Sequence, residues 1–154
     1  MSEFKQGCSS VCRCGATAFE NAGAPITVAT CHCESCVKAA RDFERAPGAP
    51  SVLSEDGGVV YAMFRKDRVA LIRGGDNLVE HRLTPESKTR RVVATCCNSP
   101  MFLDFAPGHW LSLYGCSLDD PTLQPRMRAN TPKFMLKLLG SWAAMGFARP
   151  KPSF

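Results

Sequence analysis

The sequence predicts a mainly β protein whose strands pair in antiparallel sheets. Short runs rich in β-branched and aromatic residues recur along the 154-residue chain, and turn-forming stretches such as 65–67 and 74–77 separate them. The last segment differs, because its apolar residues recur at i, i+3 and i+4 between 134 and 145. The proportions of hydrophobic and charged residues, 45% and 21%, are ordinary for a globular protein with a buried core.

Each expected strand is a short run that ends at turn residues. Cys12 and Cys14 have the two-residue period of a strand, so we expect both side chains on one face, before a turn at Gly15. The next strand, 26–30, is β-branched and ends immediately before Cys31. The remaining strands are expected at 59–64, 68–72, 78–83, 89–95, 101–105 and 110–114.

Two segments are expected to be helical. The first, 34–43, is a short helix that begins inside a cysteine motif and ends before the Pro- and Gly-containing loop at 46–50. The second follows Thr131, an N-cap residue type, with Pro132 at the first helical position. Gly146 is the expected end of this second helix.

Residues 122–154 are expected to form a C-terminal extension to a main domain at 1–121. The helix of this extension, near 132–145, carries an apolar stripe that either packs on the domain, joins two copies as a homodimer, or lies on a membrane surface. The stripe consists of Phe134, Met135, Leu138, Leu139, Trp142 and Met145.

Composition restricts the setting in which this chain works. Residues 1–7 lack the apolar region of a secretory signal, and no apolar run reaches the length of a membrane span. The nine cysteines are an odd number, so they cannot all pair as disulfides within one chain. We therefore expect a reducing, cytoplasmic environment. The formal charge of +5 falls to about +2 if about seven cysteines bind two Zn²⁺ as thiolates, which argues against a nucleic-acid partner.

The central motif, Cys31-His32-Cys33-Glu34-Ser35-Cys36, places three thiols within six residues. Zinc binds sulfur in a tetrahedron at about 2.3 Å, and this spacing supplies three of its four ligands. A fourth ligand from the protein would make the site structural, whereas an open position would make it catalytic. A disulfide and inert thiols are the alternatives. We expect the ring of His32 and the carboxylate of Glu34 to face away from the metal.

The order of the cysteine motifs is the most specific feature of this sequence. The chain carries, in order, Cys12-Arg13-Cys14-Gly15, the central motif with Lys38-Ala39, Cys97-Asn98-Ser99-Pro100, and Leu118-Asp119-Asp120-Pro121. Over residues 7–121 this order resembles the family of glutathione-dependent formaldehyde-activating enzymes and centromere protein V-like proteins. The resemblance implies a β-tent fold, in which two small antiparallel sheets surround zinc–cysteine sites.

The resemblance also implies two metal sites. In that family the early and late cysteine motifs hold a structural zinc, while the central motif holds a second zinc with an open position, where thiol chemistry on glutathione adducts takes place. The implied zinc ligands are Cys31, Cys33 and Cys36 in the open site, and Cys12, Cys14 and Cys97 in the structural site.

The late motif departs from the Cys-x-x-Cys-Gly pattern of the family. Ala94 stands where the first cysteine belongs, Asn98 replaces the glycine, and Cys96 is an additional cysteine. Cys96 can share a metal with its neighbour only if the chain turns there, which Asn98 and Pro100 favour. Cys8 reaches the site only through a bend in the chain. Cys96 is the favoured fourth ligand, and loss of this metal site is the remaining alternative.

The leading functional hypothesis is a zinc-dependent enzyme similar to a carbon–sulfur lyase. Three thiolates leave a zinc ion with a net charge of about −1, so it activates water poorly but binds a soft sulfur ligand well. We expect it to act on a thiol or thiol adduct such as that of glutathione. Lys38 or Arg91 would hold the carboxylates of this substrate.

Two other functions are compatible with the same motifs. A non-enzymatic zinc module that binds protein or nucleic acid would need a closed central site, with Cys8 or Cys116 as the fourth ligand. It would also need a clustered basic face, for which the candidates are Arg65, Lys66, Arg68, Arg90 and Arg91. A redox sensor would use Cys96 and Cys97 as its reactive pair.

Overall fold

The computed structural model describes residues 7–152 and 154 of the chain, which form two β-sheets and two α-helices. The mainly β prediction is confirmed. The strands are β1 (Cys8–Val11), β2 (Ala18–Asn21), β3 (Thr27–Cys31), β4 (Val59–Arg65), β5 (Val69–Arg73), β6 (Leu78–His81), β7 (Thr89–Ala94), β8 (Ser99–Phe105), β9 (Trp110–Tyr114) and β10 (Met127–Arg128). The helices are α1 (Glu34–Glu44) and α2 (Pro132–Ala144). Most of the segment 1–7, on which the absence of a secretory signal was argued, lies outside the described residues.

The two sheets are unequal in size. β1, β2 and β5 form a three-stranded antiparallel sheet, and the other strands form a seven-stranded sheet in the order β10-β3-β4-β9-β8-β7-β6. Its pairs are antiparallel except for β10 with β3, which is parallel. Two small sheets were expected, but the second sheet is large. The strands β4 and β6 to β9 pair in one continuous sheet, and β3 and β10 extend it at one edge.

β4 lies inside the larger sheet and contributes to two separate apolar cores. Its side chains alternate between the two faces of the sheet. Tyr61 and Met63 pack in the core that contains Cys31 and α1, whereas Ala62 and Phe64 pack in the core that contains Cys12. The central and the early cysteine motifs therefore belong to different cores.

α1 follows β3 with almost no intervening loop. Cys33 is the N-cap residue, with an extended backbone (φ −66°, ψ 153°), and the helix begins at Glu34. The buried residues Ala39, Ala40 and Phe43 hold the helix against the core. The central motif is thus fixed between the end of a buried strand and the first turn of a helix.

α2 begins and ends where the sequence predicts. The side chain of Thr131 accepts a hydrogen bond from the backbone N–H of Phe134, and Pro132 occupies the first helical position. Gly146 follows the helix with φ of +67°, a left-handed conformation that favours glycine. Neither helix in the described part of the chain has the length and apolar character that crossing a membrane requires.

One face of α2 packs on the domain. Phe134 and Leu138 are buried in the core that also contains Cys31, while the side chains of Met135, Leu136 and Leu139 are 51%, 67% and 50% exposed. The extension from residue 122 is thereby joined to the same core, and β10 joins it to the larger sheet. A homodimer through the exposed side of α2 stays a prediction.

Candidate metal centres

Four sulfur atoms come together between the two sheets, from Cys12, Cys14, Cys96 and Cys97; we call them the four-cysteine cluster. All four lie within 4.8 Å of one another. The Sγ of Cys12 is 3.7 Å from that of Cys14 and 3.6 Å from that of Cys96. A tetrahedral zinc with sulfur at about 2.3 Å has ligand sulfurs about 3.8 Å apart. These distances suit four ligands of one metal ion, and none of the four is in a disulfide.

The early cysteines reach the cluster from a turn, and the prediction that they share one face of a strand is wrong. β1 ends at Val11, and the chain turns through hydrogen bonds from Gly15 N–H to Cys12 O and from Cys12 N–H to Thr17 O, both 3.0 Å long. The turn directs the N–H of Thr17 at the sulfur of Cys12, at 3.2 Å. A backbone N–H that donates to sulfur in this way stabilises a thiolate, whereas the N–H groups of a paired strand donate to carbonyl oxygens of the neighbouring strand.

The late cysteines lie in the turn between β7 and β8. Asn98 has φ of +57°, a left-handed conformation that glycine and asparagine adopt most easily, so Asn98 performs the backbone role of the expected glycine. The N–H of Cys14 donates to the sulfur of Cys97 at 3.4 Å. The turn lets both neighbouring thiols face the cluster. Cys8 lies on β1 instead, where its sulfur accepts from Asn21 Nδ2 at 3.6 Å.

A second group of sulfurs, Cys31, Cys33 and Cys36, forms what we call the three-cysteine cluster. Cys31 ends β3, and Cys33 and Cys36 are the N-cap residue and the third residue of α1. The three sulfurs lie within 4.8 Å of one another, and those of Cys31 and Cys33 are 3.3 Å apart. The N-terminal dipole of α1 favours negative charge at this position. The cluster therefore has the donor type, spacing and field that a soft cation requires.

The three-cysteine cluster has no fourth protein ligand among the described residues. No other Cys, His, Asp or Glu belongs to this group of possible ligand atoms. Cys8 and Cys116, the candidates for closing the site, are in neither cluster. The ring of His32 faces away as expected, with Nε2 3.1 Å from a carboxylate oxygen of Asp56. A metal bound here would have one position open.

Arg91 supplies a buried positive charge beside this cluster. It is 2% exposed, and its Nη2 lies 3.7 Å from the sulfur of Cys36. No carboxylate in the described residues forms an ion pair with it, whereas its neighbour Arg90 pairs with Asp104 and Glu80. A buried cation needs a buried counter-charge. The thiolate of Cys36 provides one, so Nη2 of Arg91 contacts a candidate metal ligand.

The thiols of the three-cysteine cluster share their protons unequally. A hydrogen bond from Cys31, together with Tyr61, Cys33 and the charge of Arg91, lowers the pKa of Cys36 to about 5 in spite of burial. The same hydrogen bond and burial raise the pKa of Cys31. Burial, together with the negative charge of Cys36, raises the pKa of Tyr61, which keeps its hydroxyl protonated at neutral pH.

A cavity of about 310 Å³ opens on the three-cysteine cluster. All three cysteines line it, as do Tyr61 and Arg91, and its walls come from β8, β9 and α2. Lys38 does not line this cavity, because its ammonium pairs with Asp42 at 3.0 Å on the exposed face of α1. The structure therefore brings Arg91, but not Lys38, to the candidate substrate site.

Tyr61 was not singled out by the sequence motifs. Its phenol lines the cavity, and its hydroxyl is buried with no hydrogen-bond partner in the described residues. Tyr61 of β4 pairs with Ala29 of β3, which is two residues before Cys31. Paired residues and residues two apart lie on the same face of a sheet, so Tyr61 and Cys31 share a face. Strand alternation combined with pairing to β3 would have identified it.

Comparison of the chain with models of known protein families and with curated proteins found no match. The fold and the two clusters define a mainly β, cysteine-rich protein in which two groups of thiols could hold a metal ion. One group has four cysteines and the other has three.

Metal retention by both clusters is expected to decrease as the pH falls from 7 to 4. Metal ligands must be thiolates, so protons compete with the metal. Burial opposes ionisation of Cys97, but hydrogen bonds from Ser99 and the Cys14 N–H lower its pKa to about 6, and that of Cys36 is about 5. The pKa values of Cys31 and Cys96 are raised, so a metal has to displace protons from these thiols, and those protons return as the pH falls. A chromophoric chelator at a series of pH values measures the release; retention unchanged down to pH 4 would contradict the prediction.

Proposed function

We propose that the protein binds two zinc ions and uses the one at the three-cysteine cluster to bind the sulfur of a thiol or thiol adduct. The observation that carries the proposal is a group of three thiols with no fourth protein ligand, at the end of a cavity. The four-cysteine cluster, by contrast, supplies all four ligands of a tetrahedral metal ion, and its metal stabilises the fold. The reaction class is the making or breaking of a carbon–sulfur bond, as in a lyase.

Zinc is the metal that the donor set favours. Both clusters offer only sulfur ligands. Thiolate ligands favour Zn²⁺ over the other common divalent ions, and they also bind Cu(I) and iron–sulfur clusters. When bound to three thiolates, zinc supplies a weak Lewis acid with an affinity for soft sulfur ligands. Arg91 would offset the net charge of about −1 of that group, from a position 3.7 Å from Cys36.

Tyr61 supplies a hydrogen-bond donor beside the open position. Its hydroxyl is protonated at neutral pH and has no partner in the described residues, and it lies on the cavity wall next to Cys36. A ligand atom bound there would compete for this hydrogen-bond donor with the Cys36 thiolate, whose pKa the same hydroxyl helps to lower. The motif order, which resembles glutathione-dependent formaldehyde-activating enzymes, supports glutathione or its adduct as the reference ligand. The odd number of cysteines supports a cytoplasmic setting.

The geometry favours this function over a nucleic-acid-binding module. The predicted basic face is incomplete, because Lys66 and Arg91 are buried and Arg90 is paired with acidic residues, although Arg68 is exposed. Arg65 also pairs with Asp67, at 2.6 Å. A surface in which the positive charges are buried or neutralised binds phosphate weakly.

Titration of glutathione into the cobalt(II)-substituted protein tests the proposal. We expect a change in the thiolate-to-cobalt absorption at millimolar glutathione, because a fourth sulfur enters the coordination sphere of the open site. The Cys33→Ser variant, which loses one ligand of that site, should lose the response while the four-cysteine cluster keeps its own spectrum. If the spectrum of the cobalt(II)-loaded protein without the Cys33→Ser change stayed the same at millimolar glutathione, thiol binding would be refuted.

A further inference from the structure

The cavity beside the three-cysteine cluster has one polar end and apolar walls. The polar end consists of the sulfurs, the hydroxyl of Tyr61 and Nε of Arg91, two groups without a hydrogen-bond partner in the described residues. The walls are built from large apolar side chains of four elements, β4, β8, β9 and α2. They include Met63, Leu103, Phe105, Trp110, Phe134 and Leu138.

Most polar groups along the walls are already engaged with other protein groups. Ser112 accepts a hydrogen bond from the indole N–H of Trp110 at 3.2 Å. Ser35 is 3.4 Å from the sulfur of Cys33, and Asn130 Nδ2 donates to the sulfur of Cys31 at 3.9 Å. Arg91, the basic residue of the lining, contacts Cys36. Besides the hydroxyl of Tyr61 and Nε of Arg91 at the polar end, few groups therefore remain to bind the charged ends of a peptide ligand.

We infer that the open site prefers a thiol, or a sulfur conjugate, whose sulfur carries an apolar group of the size of a benzyl ring. This inference rests on the proposed function, and it specifies the substrate class. The sulfur occupies the polar end, and the apolar group lies against Trp110 and α2, where its burial is favourable. The carboxylates and ammonium of glutathione gain no such burial and have to stay at the cavity mouth.

α2 makes the inference testable, because two of its residues are equally exposed but differ in position. Met135 lines the cavity and is 51% exposed, whereas Leu139 does not line it and is 50% exposed. Either side chain can be shortened with little effect on the core. The variants Met135→Ala and Leu139→Ala are thus a matched pair.

The experiment measures the affinity of the cobalt(II)-substituted protein for benzyl mercaptan and for glutathione from the thiolate absorption. We expect benzyl mercaptan to bind at least about tenfold more tightly, since a single methylene in an apolar pocket changes affinity by about that factor. Met135→Ala should weaken benzyl mercaptan binding severalfold and leave glutathione binding unchanged. Leu139→Ala should change neither.

The outcomes separate this inference from the proposed function. Equal affinities for the two thiols, or equal effects of the two variants, would overturn the apolar preference and leave thiol binding intact. Absence of a response to either thiol would overturn both. Thermal unfolding of each variant establishes that it is folded before its affinity is compared.

Discussion

On the proposed content of two zinc ions per chain, replacement of Cys12 by serine should remove one ion and lower the Tm by about 10 °C. Cys12 is 2% exposed, and its sulfur contacts those of Cys14 and Cys96 and accepts the N–H of Thr17. Zinc sites of this kind contribute folding free energy directly. A loss of about 3 kcal/mol corresponds to roughly this change in Tm for a chain of this length. Metal analysis and calorimetry measure the two effects.

Cys116→Ser is the matched control for this substitution. Cys116 follows β9 and belongs to neither cluster, so its replacement should leave the zinc content at two ions per chain. The difference in zinc content between the two variants then reports the metal site, whereas the difference in Tm also includes the loss of a buried thiol, because Cys12 is buried and Cys116 is exposed. Equal zinc content and equal Tm in both variants would show that the four-cysteine cluster holds no metal.

The large effect follows from what the four-cysteine cluster joins. Cys12 and Cys96 are 84 positions apart in sequence, and they connect the end of β1 in the small sheet to the turn that leads into β8 in the large one. A hydrogen bond from the N–H of Arg13 to Ser99 Oγ, at 2.9 Å, links the same two turns. Crosslinks between distant segments restrict the unfolded chain most, so a metal here stabilises the contact between the sheets.

Local sequence patterns predicted the elements that carry strong local signals. β9 (Trp110–Tyr114) has the predicted bounds, α1 starts at Glu34 as predicted, and α2 is capped by Thr131 as predicted. β10 was missed because two residues show no period, and its pairing depends on hydrogen bonds from Arg126 and Ala129 to β3. Interactions between distant segments leave no local pattern to read.

The candidate site shows the same division. All seven cysteines named as candidate ligands lie in one of the two clusters. Spacing alone predicted the three-cysteine cluster, because its ligands are local in sequence, whereas the four-cysteine cluster was expected from the order of motifs in the family that the chain resembles. The cavity walls combine Leu103, Trp110 and Phe134 from three separate elements, so only the tertiary fold brings them together. Lys38 illustrates the reverse case, since its neighbour four positions along α1, Asp42, pairs with it and holds it at the surface.

Replacement of Arg91 by leucine should weaken metal binding at the three-cysteine cluster by about 10- to 100-fold. The guanidinium is buried beside Cys36, and no carboxylate in the described residues pairs with it. Its removal leaves a metal–thiolate group of net charge about −1 in an apolar core, which costs free energy. Competition with a chromophoric chelator, in a Cys12→Ser background that disrupts the four-cysteine cluster, measures the affinity of the three-cysteine cluster.

Arg90→Leu is the control, because Arg90 is the preceding residue on β7 and its charge pairs with Asp104 and Glu80, away from the cluster. This variant should lower the free energy of unfolding without changing metal affinity at the three-cysteine cluster. Arg91→Lys, which keeps the charge, should recover much of the affinity that leucine loses. If Arg91→Leu and Arg90→Leu bind metal equally well, then the buried charge of Arg91 does not compensate the thiolates.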